Sequence, residues 1–365
     1  MTTHLYFARK FFWMLLSIFA VFFVLTILLD MMEQLRKFDV EQVGFYRVIG
    51  LTFLRAPQGL YQLLPLIVIL ATVALFIGLA RTSELVVVRA AGRSAIVAVI
   101  SPMVLALLVG VAAVTIINPL VAKTSVEYDK QSDALRNNGG NALSLSDEGI
   151  WLRQGGPEGH AVIHAERTNA DASKFINLSI ITYRENGGPQ SRIQADTAEL
   201  RDDGWALTNA RVWSLNRGVS EGTAAHHHDT LTLPSNLTPD RIRDRFGSPS
   251  AISVWQLPKF IQELDEAGFS SRRHTVWLHM ELAQPLFLMA MVLVGAAFTM
   301  RHTRFGNTGI AVLFAILIGF SLYFIRNFAQ ILGENGQIPV LLAAWAPPVA
   351  SVLLALGLLL HMEDG

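Results

Sequence analysis

The chain contains no cysteine, which excludes disulfide staples, thiolate metal sites and a cysteine nucleophile. Charge is also scarce. Asp, Glu, Lys and Arg make up 16% of the 365 residues, against about 25% in an ordinary soluble domain. Acids and bases cancel to a formal net charge of zero, so no global field draws this chain to nucleic acid or to an acidic substrate. A G-x-x-x-x-G-K-[ST] loop is missing, and no glycine is followed by lysine, so the chain carries no P-loop. There is no H-E-x-x-H either. Nothing here reads as an enzyme.

What is abundant is apolar sequence: 52% of residues, concentrated in two blocks, with most charge between roughly Lys123 and Arg273. A span needs about 20 mostly apolar residues. Runs at 11–29, 57–80, 95–117, 276–300, 308–330 and 338–361 qualify, three on each side of the charged middle. The first is long for a signal-peptide core and has no small-x-small site before Asp30, so it reads as a retained helix. Arg9 and Lys10, then Arg81, Arg89 and Arg93, then Arg301 and Arg304 all fall on one side, which the positive-inside rule makes cytoplasmic. Both termini are then inside and the middle domain outside. Arg36, Lys37, Arg47 and Arg55 form a basic cluster on the outer side and need another reason. Glu33 and Lys37, four apart, fit a helical surface pair, while Arg36 and Lys37 also fit a rim for anionic headgroups.

In the middle the period changes from helical to two. Runs such as "GIWLR", "HAVIHAERT", "KFINLSIITYREN", "SRIQADTAEL" and "WALTNARVWSL", separated by Gly, Asn, Asp and Pro, predict an antiparallel sandwich, jelly roll or barrel. In the third run, Phe175, Asn177, Ser179 and Ile181 alternate with Ile176, Leu178 and Ile180. Both sets are fairly apolar, which means burial on both sides or one face bound to something greasy. His226, His227 and His228 alternate faces if extended, so at most two converge; an exposed loop or strand start is the plainer reading than a metal site. Ser253 is positioned to cap a bridging helix over about 254–267, with Pro258 near its first turn, Gly268 at its end, and Leu257, Phe260, Ile261 and Leu264 on one face.

Two features stand out within the apolar blocks. Glu281 and Arg326 are ionisable residues at membrane depth, which mark a substrate path or an interhelical pair. "RTSELVVVRAAGRS" is too long and too apolar for a plain loop. If Ser83 caps a short helix there, it needs either the membrane surface or a partner protein.

"SELVVVRAAGRS", "DMMEQLRKF", "EGIWLR", "NLTPD", "WQLPKFIQELDEAG" and "IPVLLAAWAPPV", in that order, resemble landmarks of the lipopolysaccharide export permease family, LptF/LptG, across nearly the whole chain. "EQLRKF" and "SELVVVRAAG" look more like the LptG branch. The resemblance implies six transmembrane helices (3+3) and an inserted all-β periplasmic jellyroll-like domain. Residues 1–122 would hold the first three helices with a coupling helix at about 82–93, residues 123–275 the β-domain and bridging helix, and residues 276–365 the last three helices. It implies a subunit of an ABC transporter that extracts lipopolysaccharide from the inner membrane. The partners would be an LptF-like paralogue, an LptB ATPase dimer holding the ATP and Mg, LptC, and LptA through the jellyroll. No cofactor is expected in this chain.

Carried over by position, Glu84, Leu85, Arg89, Ala90 and Gly92 would dock on the ATPase. Arg36, Lys37 and Arg326 would meet the lipopolysaccharide headgroup. Phe320, Tyr323, Phe324 and Phe328 would form the lateral gate, and Ile176, Leu178 and Ile180 the lipid path in the β-domain. Asp30 stands where some relatives carry a basic residue. The layout also admits a permease for lipoprotein or peptide, or a membrane scaffold without transport.

Overall fold

The structure is a computed structural model that describes residues 2–38, 44–84, 95–135, 143–146, 149–156, 159–168, 174–184, 188–201, 204–215, 225–235, 248–266, 270–300 and 308–364. The chain divides into two compact units. One comprises Met1–Ser132, Ser253–Trp255 and Arg272–Gly365; the other comprises Asp133–Ile252 and Gln256–Ser271.

The first unit is helical. Its helices are α1 (Thr2–Lys37), α2 (Phe45–Arg81), α3 (Ala95–Ala112), α4 (Asn118–Leu135), α6 (Arg272–Thr299), α7 (Thr308–Glu334) and α8 (Val340–Asp364). A π-turn, Ala113–Ile117, joins α3 to α4, so the pair forms one span; six helices are long and apolar enough to cross a membrane. Most outrun the apolar tracts that announce them: α2 begins at Phe45 rather than near Pro57, and α1 ends at Lys37. Their amphipathic ends continue the helix on the strength of side-chain contacts that hydropathy does not register.

Helix α6 is the hub, packed against α2, α3, α7 and α8. Of its most apolar window 72% is buried within the protein, against 11% for α1 and for α7. Small residues let its neighbours close in, because apolar lipid offers helices no hydrophobic drive to associate and close packing must supply the attraction. A Cβ on Gly110 of α3 would lie 2.5 Å from the Pro285 Cα, and one on Gly295 would lie 2.9 Å from the Thr72 side chain. The π-turn has a local cause. Pro119 has no N–H to offer the Thr115 carbonyl four residues back; the Trp255 indole donates to that carbonyl instead, at 3.3 Å. Asn118 Oδ1 accepts the Val254 N–H at 2.8 Å, so the Ser253–Trp255 strap is docked on the turn.

The second unit is a β-domain. Strands β1 (Leu143–Ser146), β2 (Gly149–Gly156), β3 (Gly159–Thr168), β4 (Lys174–Arg184), β5 (Pro189–Arg201), β6 (Gly204–Ser214) and β7 (His226–Pro234) pair antiparallel in sequence order. The sheet rolls on itself: Gln154 of β2 donates to the Pro234 carbonyl at the end of β7 (3.1 Å) and accepts from the Trp205 indole of β6 (3.2 Å). Inside the roll lie Ile150, Leu152, Ile163, Phe175, Leu178, Ile180, Ile193, Leu200, Trp205 and Leu207, with Leu264 and Phe260 of α5 (Leu257–Glu266) packed against them. Helix α5 starts later than its apolar pattern indicates. Ser253 Oγ accepts the Trp255 N–H (3.4 Å) in a turn that precedes the helix, and Pro258 sits in its first turn.

The inside–outside alternation breaks at one transverse line. Residues 166–167, 176–177, 196–197 and 208–209 all point away from the core on four adjacent strands, while the pairing register is kept. Asn177 (φ 53°) and Asn209 (φ 56°) adopt the left-handed conformation there, which asparagine tolerates better than other residues with a Cβ. Each reaches the neighbouring strand: Asn177 donates to Glu166 at 2.6 Å, and Asn209 to Asp196.

Candidate functional sites

At the Lys37 end of α1, three side chains interlock around Tyr128 of α4. The Tyr128 hydroxyl accepts from Gln34 (3.0 Å), which is wholly buried, and from Lys37 (3.1 Å). The Lys37 ammonium lies 5.5 Å from the ring centroid and the Arg55 guanidinium 5.8 Å. Lys37 therefore does not pair with Glu33. Glu33 is held by Arg55 of α2 at 2.5 Å, a cross-helix ion pair in place of the expected i, i+4 pair. The reason is geometric: α2 runs beside α1 and offers a guanidinium, while Tyr128 draws the lysine the other way. Arg36 is exposed, without a partner among the described residues. An ammonium has three donors and Tyr128 takes one, so Arg36 and Lys37 keep free donors at the helix end.

Arg326 of α7 turns towards α6. One Nη donates to Gln284 Oε1 (2.8 Å) and to the Met280 carbonyl (3.4 Å), and the guanidinium lies 5.2 Å from the Phe287 ring centroid. Glu281, also on α6 and 2% exposed, accepts from the Tyr61 hydroxyl of α2. The two ionisable residues thus join a buried polar layer across three helices, the interhelical alternative for such residues. Arg326 Nε keeps no partner. On the same helix Phe320 (42% exposed), Phe324 and Phe328 (62% each) form an outward stripe at i, i+4 and i+8. Phe324 meets Phe320 at 6.3 Å and Tyr323 at 6.0 Å between centroids, while Tyr323 leans onto the helical core.

Ile176, Leu178 and Ile180 do not share a face. Leu178 and Ile180 are buried inside the roll, but Ile176 is 41% exposed on the other side, because left-handed Asn177 reverses the alternation between them. Phe175, expected opposite Leu178, lies inside with it. His226, His227 and His228 open β7 and are exposed, with His227 Nε2 3.5 Å from Asp229.

Glu84 is the one residue of the expected coupling set that falls within the described residues; Leu85, Arg89, Ala90 and Gly92 lie outside them. Glu84, directly after Ser83, is helical, and the rest of the helix expected there lies outside the described residues. At φ 57° Ser83 is the left-handed stop that follows α2, with its N–H on the Ala80 carbonyl at 3.2 Å. That stop turns Glu84 back onto the first turns of α1. Its carboxylate accepts from Lys10 Nζ (2.8 Å), the Tyr6 hydroxyl (2.9 Å) and Thr82 Oγ1 (2.8 Å). Partial burial pushes the carboxyl up, and these hydrogen bonds together with the lysine charge outweigh it, leaving Glu84 below its ordinary range. The sequence holds no periodic signal for this clasp, since 74 residues separate Lys10 from Glu84.

By letters alone, Gly218–Gly222 reads G-V-S-E-G, a match to the G-x-S-x-G nucleophile pattern. That pattern requires a strand followed by a helix. Here the run stands between strands β6 and β7, outside the described residues, and the match carries no hydrolase reading.

Six helices fit to span a membrane, three before and three after an inserted antiparallel β-domain in the sequence, define a polytopic membrane protein. The sequence profile of the lipopolysaccharide export system permease LptF/LptG matches residues 5–361, and the chain belongs to that family. It is similar to the lipopolysaccharide export system permease protein LptG of Escherichia coli K12, at 25% identity over 346 residues, covering 92% of this chain and 91% of the relative. It is also similar to LptG of Haemophilus influenzae, at 22% identity over 355 residues and 93% of each chain.

Proposed function

We propose that this chain is a transmembrane subunit of a lipopolysaccharide exporter in the bacterial inner membrane, with cytoplasmic termini and a periplasmic β-domain. The observation that carries the reading is the extent of the family match, which runs through all six spans and the β-domain. An LptF-type subunit would complete the transmembrane pore. A separate LptB ATPase dimer would bind ATP and Mg, LptC would join the assembly, and the β-domain would hand the substrate to LptA. A chain without a P-loop needs an energy source of this kind.

Within that reading Arg36 and Lys37 present free donors to headgroup phosphates at the outer end of α1, in its last turn, where the helix dipole favours a cation. Arg326 spends one Nη on Gln284 and Met280, which leaves its other Nη, and the buried Nε, for a phosphate. The Phe320, Phe324 and Phe328 stripe is the acyl-chain side of the gate. Leu178 and Ile180 are buried inside the roll, so a lipid path there would require the roll to open to acyl chains, while Ile176 lies on the other face. Leu85, Arg89, Ala90 and Gly92 are carried with Glu84 as the ATPase-docking set. Purification from native membranes tests the assembly: co-purification of a distinct ATPase and an LptF-type chain is the expected result. A stable homodimer without an ATPase would overturn it.

A further inference from the structure

The Glu84 clasp joins two parts of the chain that differ in how firmly they are held. Helix α1 packs on α2 and α3 and has only 11% of its apolar window buried, so it is weakly bound to the bundle. Its first turns are tied by side chains at two points: His4 to Ser101 of α3 at 2.9 Å, and Tyr6 with Lys10 to Glu84. Tyr6 and Lys10 are four apart on one face of α1, with the ammonium 3.3 Å from the phenol oxygen and 5.4 Å from the ring centroid. A carboxylate has about four acceptor positions. Lys10, Tyr6 and Thr82 occupy three, so Glu84 can hold α1 and still accept from a partner.

We propose that Lys10 and Tyr6 are positioning residues that make α1 follow the segment after α2, so that movement imposed there by the ATPase is carried into α1. This rests on the permease reading above. Glu84 is the joint: three of its acceptor positions hold the α1 foot and Thr82, and the fourth is left for the docked protein. Lys10 supplies charge and direction, and Tyr6 fixes the second oxygen.

The test uses the assembled transporter in liposomes. The chain has no cysteine, so a spin label at Trp13→Cys, an exposed position on α1, reports from a single site on this chain. With the unaltered clasp, trapping the ATPase with nucleotide and vanadate shifts the label spectrum. In the Lys10→Met/Tyr6→Phe pair the ATPase still co-purifies and hydrolyses ATP within about twofold. The shift disappears, lipopolysaccharide release falls at least fivefold, and Lys10→Arg with Tyr6 intact restores both. A label shift and release unchanged in the double variant would overturn the proposal. So would equal loss of hydrolysis and release, since that is what a merely structural role produces. If no ATPase accompanies the unaltered chain, the permease reading fails first, and that outcome is distinct from either.

Discussion

At the scale of single residues, the account turns on side chains whose partners lie far away in sequence. Glu84 accepts three hydrogen bonds and its carboxyl is held below the usual range. A depressed carboxyl contributes at any pH above its ordinary value, and that contribution fades as pH falls through the lowered one. The Lys10–Glu84 contact should therefore persist at neutral and mildly acidic pH and open only below the ordinary glutamate range. Carboxylate infrared bands of Glu84, identified by difference against Glu84→Gln, check this; protonation of Glu84 near neutrality would contradict it. In the β-domain, Asn177→Ala and Asn209→Ala should each destabilise by about 1 kcal/mol, the cost of a left-handed residue with a Cβ and no local hydrogen bond. Asn→Gly at the same sites should cost less. Thermal unfolding of the purified protein compares them, and an alanine variant as stable as the glycine variant would remove the left-handed explanation.

At the scale of elements, two joints are exposed to direct test. Gly110 admits Pro285 so closely that Gly110→Ala must push α3 from α6, at about 1–3 kcal/mol for overpacking. Trp255→Phe deletes one donor to the Thr115 carbonyl and should cost about 1 kcal/mol while leaving the ring in place. Loss of thermal stability in both variants is the expected outcome. The spans were legible in the sequence because a membrane helix announces itself by length and apolar content alone. The strands were legible from alternation and turn residues. The start of α2 was not: residues 45–56 belong to that helix through contacts such as Arg55–Glu33, and hydropathy is blind to these. The faces of β4 were misassigned for a similar reason. Alternation assumes extended φ at every residue, and Asn177 departs from it. The signal was present but local: asparagine in mid-strand in both "FINLSI" and "LTNARV".

At the scale of the molecule, α6 anchors a bundle whose two least buried membrane helices, α1 and α7, carry the free cations at one helix end and the phenylalanine stripe. The resemblance named those residues without their partners. Positions came from motif order, whereas Tyr128, Gln34, Tyr61 and Asn118 were missed because each sits on a helix whose local pattern assigns it no chemistry. The central claim is that this chain moves lipopolysaccharide with energy supplied by another protein. Photo-crosslinking from Phe324 and Lys37 in membranes containing the assembled complex tests it most directly. The account predicts lipopolysaccharide adducts at both positions that change on adding ATP. Peptide or lipoprotein adducts, or lipopolysaccharide adducts indifferent to ATP, would contradict it.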